Sequence, residues 1–98
     1  MVVPTWIPEG RSEEQEIGLS GNMRKLEAYP WKWFTVEVFN EGPDTLYATA
    51  NGSPDYAAAK LEERESKTFG TDRKPTVTEV KVWVLTGKTA TAKISTLR

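Results

Sequence analysis

Hydrophobic residues recur at every second position in two stretches of the chain, residues 34–39 and 80–85. The alternate positions on one side are apolar in both stretches: Phe34, Val36, Val38, Val80, Val82 and Val84. A repeat of two residues is the period of a β-strand that buries one face. Each stretch is therefore predicted to be a strand that turns its valines toward the core.

The first strand is followed by turn-forming residues and a second alternating run. The residues at 40–44 (Asn-Glu-Gly-Pro-Asp) are typical of a loop, and residues 45–50 follow it. A loop of these five residues sets Phe39 opposite Thr45 and leaves one face of the pair wholly apolar. The sequence therefore predicts a β-hairpin over residues 34–50.

The second strand is also predicted to fold back as a hairpin, with residues 90–95 as its partner. Its loop must have an odd number of residues, because an even loop sets valines opposite lysine. Loops over residues 86–88 and 85–87 both satisfy this condition. The second is favoured because it places Gly87 at the left-handed third position of such a loop.

Three other segments have weaker patterns. Residues 13–19 and 23–28 are predicted to be short edge strands. Residues 54–64 begin with Pro54 and contain helix formers, which predicts one short helix. An extended crossover that ends in a strand at residues 66–69 fits the same stretch, and the pattern does not choose between the two.

Several short strands separated by turn residues are typical of a mainly β fold, here an antiparallel β-sandwich or a jelly-roll-like fold. The predicted organisation is an extended N-terminal arm over residues 1–10, which contains Pro4 and Pro8, and a single domain over residues 11–98. Many small residues face inward. The space they leave is expected to be filled by large side chains from the opposing sheet: Trp6, Trp31, Leu26 and Phe69.

Composition narrows the function classes. The 98 residues include 13 basic and 14 acidic residues, so the net charge is -1, which argues against nucleic acid as a partner. No apolar run approaches the ~20 residues that span a bilayer, and residues 1–10 lack the basic start of a secretory signal. We expect no membrane partner and a location in the cytoplasm or in a particle assembled there.

Candidate chemistry is sparse. The chain has no cysteine and no histidine, which excludes thiolate zinc sites and nucleophilic systems that use either residue. Asp44, Asp55 and Asp72 match no calcium loop, and Glu37 and Glu79 are the carboxylates that fall on predicted strands. We predict no catalytic, cofactor-binding or metal-binding residue, and thus a protein that is not an enzyme.

Large side chains on the faces opposite the valines are the most informative feature. If the valines point inward, five large residues point outward: Trp33, Phe39, Tyr47, Trp83 and Leu85. Contiguous exposed apolar groups usually mark an interaction site. The alternative is that the arm or the helix of the same chain covers them. Trp6 and Ile7 in the arm contact either a neighbouring subunit or their own domain.

The stretch from Thr35 to Leu97 contains Phe39-Asn40-Glu41-Gly42-Pro43, Leu46-Tyr47-Ala48, Glu65-Ser66-Lys67-Thr68-Phe69 and Gly87-Lys88-Thr89-Ala90-Thr91-Ala92. In these segments it resembles the small accessory β-sandwich proteins of tailed-phage virions. It departs from their pattern at Arg64, where glycine is usual. The resemblance implies a head, decoration or tail-associated component that is not an enzyme and works as an oligomer.

Two function classes follow. The first is a structural or interaction protein that self-associates or docks on a larger assembly through its outward aromatic residues. The second is a small carbohydrate-binding module in which Trp31, Trp33 or Trp83 stacks on sugar rings. They differ in exposure, since a sugar platform keeps its rings open in the free protein while an assembly surface becomes covered.

Overall fold

The computed structural model describes residues 12–21, 23–28, 32–51, 59–71 and 73–97, and only these are discussed below. Within them the chain forms eight β-strands, whose bounds are β1 Ser12–Ser20, β2 Met23–Glu27, β3 Thr35–Pro43, β4 Leu46–Ala50, β5 Lys60–Leu61, β6 Ser66–Gly70, β7 Glu79–Trp83 and β8 Thr89–Leu97. No helix in this part of the chain is long and apolar enough to cross a membrane.

The described strands form two antiparallel sheets of four strands each. Sheet A has the order β1-β8-β3-β6 and sheet B the order β2-β7-β4-β5. The chain crosses from one sheet to the other after every strand except β4, and this order is that of a jelly roll. The predicted mainly β fold, an antiparallel β-sandwich or jelly-roll-like fold, is confirmed, as are the strands expected at residues 13–19 and 23–28. Of the two alternatives for the stretch before β6, the structure has the one that ends in a strand at residues 66–69.

The core lies between the two sheets and follows the predicted alternation. Its most deeply buried members come from the central strands of both sheets: Val36, Val38, Leu46, Ala48, Val80, Val82, Ala92 and Ile94. Leu26 and Phe69 pack against this core as partly buried residues, as expected from the small side chains that they face. Trp6 and Trp31, the other two residues expected to fill it, lie outside the described residues.

Both predicted hairpins are wrong in their pairing. β3 pairs with β6 and β8, while β4 pairs with β5 and β7, so the first two strands lie in opposite sheets. β7 and β8 are likewise in opposite sheets. The physical reason is that an alternating pattern fixes which face is buried but not which strand lies alongside. Leu46 and Val38 are both buried in the core, but they come from strands of opposite sheets.

The five residues predicted as the first turn belong mostly to β3. The strand continues to Pro43 with a register shift between Asn40 and Pro43, and Asn40 itself is fully buried. Its side chain Nδ2 donates hydrogen bonds to the carbonyls of Asp44 and Leu61, both at 2.9 Å, and its Oδ1 accepts one from the Gly42 N–H at 2.7 Å. This amide therefore replaces the ladder hydrogen bonds that the irregular strand loses.

The predicted loop beside Gly87 is a tight turn between the sheets. The Lys88 N–H donates to the Leu85 carbonyl at 3.0 Å, and Gly87 occupies the third position of the turn with φ 83°. That left-handed conformation favours glycine, as predicted.

The helix predicted over residues 54–64 is wrong for its described part. Residues 60 and 61 form β5, and the next residues turn toward β6, with Arg64 at a φ of 70°. Two hydrogen bonds close this turn: the Glu65 N–H donates to the Glu62 carbonyl at 3.0 Å, and Glu65 Oε1 accepts the Glu62 N–H at 2.7 Å. Residues 54–58 and the arm over residues 1–10 lie outside the described residues.

Candidate functional site

The large residues predicted to point outward are divided between the two sheets. Phe39 lies on the outer face of sheet A, opposite Lys93 on one side and Ser66 on the other. Tyr47 and Trp83 lie opposite each other on the outer face of sheet B. The prediction that Phe39 and Tyr47 share one face of a hairpin is wrong, because β3 and β4 lie in opposite sheets.

Trp33 is a correction to the predicted surface, because it belongs to the core. It is 5% exposed and packs in the hydrophobic cluster between the sheets. The alternation of β3 does not extend back to it, since the chain bends at Phe34. The Trp33 N–H donates to the Val77 carbonyl at 2.9 Å, and this bridge to the segment before β7 turns the indole inward.

Trp83 points away from the core, as predicted, but it is not open to solvent. It is only 5% exposed, and its ring stacks on that of Tyr47 with centroids 5.8 Å apart and planes 15° apart. Offset stacking of this kind adds about 0.5–1.5 kcal/mol to the burial of the rings. Of the other predicted residues, Tyr47 is half-buried and Leu85 is 44% exposed. Trp6 and Ile7 lie outside the described residues.

Met23 is a residue of this surface that sequence reasoning missed. It is opposite Trp83 across β2 and β7, and it is 47% exposed. Met23 and Leu85 are the exposed large hydrophobic residues among those described. We call the set Met23, Tyr47, Trp83 and Leu85 the outer strip. The alternation of β2 could have indicated its outward position, because Met23 stands at the same alternate positions as the polar Lys25 and Glu27.

Two charged rows lie beside the outer strip on the same face. Lys25 Nζ is 3.0 Å from Glu27 Oε1 and 3.8 Å from Glu79 Oε2, and Lys81 Nζ is 4.0 Å from Glu79 Oε1. The hydrogen bond and the charge of Glu27, helped by the charge of Glu79, raise the pKa of Lys25 above its ordinary value of 10.5. The rows contain both signs, so this face carries little net charge.

Two depressions lie elsewhere. A cleft of about 250 Å³ opens between β1 and β2, with an apolar floor and carboxylates at its rim; it is lined by Glu13, Glu14, Gln15, Leu26, Glu27, Trp33, Ile94 and Thr96. A shallower depression of about 280 Å³ is lined mainly by hydroxyl side chains: Thr35, Thr68, Ser95 and Thr96, with Glu37 and Leu97.

The candidate carboxylates do not come together. Glu37 is exposed on the outer face of sheet A, while Glu79 is engaged by lysines on the outer face of sheet B. They lie on opposite sides of the sandwich, so they do not flank one bond of a bound sugar. Among the residues that the structure describes, no group of three or more His, Cys, Asp or Glu side chains is arranged to hold a metal ion.

Comparisons of the chain with protein-family models, curated proteins and solved structures gave no match. The surfaces described above are therefore the basis for the proposed function.

Proposed function

We propose that this chain is a structural protein, not an enzyme, that associates with copies of itself through the outer strip of sheet B. The observation that carries the proposal is the exposure of Met23 (47%) and Leu85 (44%) beside the stacked rings of Tyr47 and Trp83. Burying such a contiguous apolar group against a partner removes it from water, at about 25 cal/mol per Å².

The partner that best fits this strip is a second copy of the chain. A net charge of -1 gives two copies little electrostatic repulsion. The lysine and glutamate rows beside the strip are paired within each copy, so the face presents both signs to its partner. A face of mixed charge around an apolar centre is compatible with a twofold contact in which the same residues lie on both sides.

The exposed members of the strip are Met23 and Leu85, whereas the sequence pattern alone predicts tryptophans at the interaction surface. Trp33 packs in the core, and Trp83 stacks on Tyr47 within the strip. We favour self-association over carbohydrate binding for the same reason. A sugar stacks on an accessible ring face, and Trp33 and Trp83 are each 5% exposed.

The assembly that we propose is a virion, in which the chain serves as a decoration or tail-associated component. Support for this step is an analogy of fold, since jelly rolls recur in viral capsid proteins, together with the resemblance described for residues 35–97. Self-association itself does not depend on the analogy.

The test is light scattering coupled to size-exclusion chromatography over a concentration series. The double variant Met23→Gln, Leu85→Asn keeps the net charge and makes the strip polar, so we expect a lower mean mass than that of the wild type at each concentration at which the wild type associates. Thr86→Asn, a polar exchange in the same turn as Leu85, is the matched control and should associate like the wild type. A wild type that is monomeric at every concentration overturns the proposal.

A further inference from the structure

Sheet A ends in two edge strands of different character. Among the described strands, β1 pairs only with β8 and β6 only with β3. The first half of β1 is exposed over Glu13, Glu14, Gln15 and Glu16, and β6 is exposed over Ser66, Lys67 and Thr68. Such edges present backbone N–H and C=O groups that another strand can satisfy.

The two edges carry opposite charge. β1 contains three glutamates and no basic residue, while β6 contains Lys67 and no acidic residue. Glu14 is engaged by Lys93, whose Nζ is 3.5 Å away, whereas no ion pair within the described residues engages Glu13 or Glu16. Two copies of β1 would bring glutamates together, and two copies of β6 would bring lysines together. Only the unlike pair is favourable.

Strand direction also fits the unlike pair. All neighbours in sheet A are antiparallel, so β1 and β3 run one way and β8 and β6 run the other. A second copy placed by simple translation therefore sets its β1 antiparallel to β6 of the first. The faces match as well. Lys67 has the parity of its partner Val38, and Gln15 that of its partner Ile94, so both point to the core side.

From this geometry we infer that β6 of one copy pairs with β1 of the next, so that sheet A continues from copy to copy. The contact is head-to-tail, and its repetition gives a ring or a filament. It extends the proposed self-association but uses none of the residues of the outer strip. An assembling chain with both contacts would grow in two directions, through the face of sheet B and through the edges of sheet A.

Charge reversal tests the pairing. Lys67→Glu makes both edges acidic, and Glu13→Lys makes β1 less acidic while β6 stays basic, so each variant alone should need at least about tenfold higher concentration to associate. An equimolar mixture should recover association, because each variant then offers the edge that the other lacks. Glu37→Lys makes the same charge change at the centre of sheet A and serves as the control.

Disulfide trapping locates the contact. The chain has no cysteine, so each single variant carries one thiol, and a purification tag on one of the two distinguishes the mixed dimer from the symmetric disulfide dimers. Lys67→Cys mixed with Gln15→Cys should give a mixed disulfide dimer under oxidation. Lys67→Cys mixed with Glu16→Cys should give far less, because Glu16 is on the opposite face of the strand.

The outcomes separate this inference from the proposed function. Equal trapping by both cysteine pairs, or a mixture of charge variants that fails to recover association, overturns the edge contact even if the strip variant abolishes assembly. Selective trapping of the first pair supports the edge contact even if scattering shows a monomer, since a disulfide retains a weak encounter. In that case only the proposed self-association through the outer strip is contradicted.

Discussion

Asp44 and Thr89 are joined by two reciprocal hydrogen bonds. The Asp44 N–H donates to the Thr89 carbonyl at 3.0 Å, and the Thr89 N–H donates to Asp44 Oδ2 at 2.9 Å. Asp44 stands where the chain passes from β3 in sheet A to β4 in sheet B, and Thr89 begins β8. The two hydrogen bonds connect this corner of the sandwich to the start of β8, 45 residues further along the chain.

Removing the Asp44 carboxylate tests how much its hydrogen bond to Thr89 stabilises the fold. Asp44→Ala deletes the acceptor of the Thr89 N–H, and we expect the free energy of unfolding to fall by about 1–2 kcal/mol. Asp44→Asn keeps a side-chain oxygen in place and should lose less than half of that. Urea denaturation followed by circular dichroism measures both, and equal losses for the two variants would contradict the hydrogen-bond explanation.

The buried amide of Asn40 should be more sensitive. Asn40→Ala leaves the Asp44 and Leu61 carbonyls and the Gly42 N–H without their side-chain partner, so we expect a loss of about 3 kcal/mol in the free energy of unfolding. Asn40→Asp has nearly the same shape but directs an oxygen at two carbonyls. It should destabilise at neutral pH and recover part of the loss in acid, when the carboxyl is protonated and can donate. A loss independent of pH would argue against this.

Two glycines with the same backbone conformation provide a matched pair. Gly70 and Gly87 have φ values of 87° and 83°. A Cβ on Gly70 would lie 2.2 Å from the Phe34 carbonyl oxygen, whereas a Cβ on Gly87 meets nothing within 4 Å. Gly87→Ala should therefore cost about 1 kcal/mol from the left-handed backbone alone. Gly70→Ala should cost about 3 kcal/mol or prevent folding. Thermal unfolding distinguishes them, and similar melting temperatures would contradict the prediction.

The ion pair of Lys25 predicts a measurable titration shift. Glu27→Gln removes the largest cause of the raised pKa of Lys25, so NMR titration should show that pKa moving down toward 10.5. Because the pKa is raised in the folded state, the pair stabilises the fold below pH 10.5 and this contribution disappears as the pH rises through the folded-state pKa. Glu16→Gln, which removes a glutamate from sheet A, should leave the Lys25 titration unchanged.

The sequence predicts which face of each strand is buried better than it predicts which strands pair with each other. The alternation correctly predicts that four valines point inward: Val36, Val38, Val80 and Val82. Burial of one face imposes a period of two on any half-buried strand. The same alternation is compatible with a hairpin and with a crossover to the opposing sheet. Turn residues such as those at 40–44 did not distinguish them, since a strand that bulges at Asn40 uses the same residue types as a loop.

The candidate surface was predicted only in part for related reasons. Parity placed Trp83 and Tyr47 on an outer face correctly, but a period of two cannot be carried through a bend, and the bend at Phe34 is what sends Trp33 inward. The alternation of β2 indicates that Met23 points outward, but its place opposite Trp83 is a pairing between distant segments. No local pattern encodes that pairing.

The position of β8 has a consequence for synthesis. It is the last of the described strands along the chain, yet it lies inside sheet A and pairs with β1 along its whole length and with most of β3. Seven of these strands are therefore synthesised before β8, which lies between β1 and β3. β1 and β3 cannot complete sheet A before β8 has been synthesised, so their apolar faces stay without this partner while the preceding strands are made.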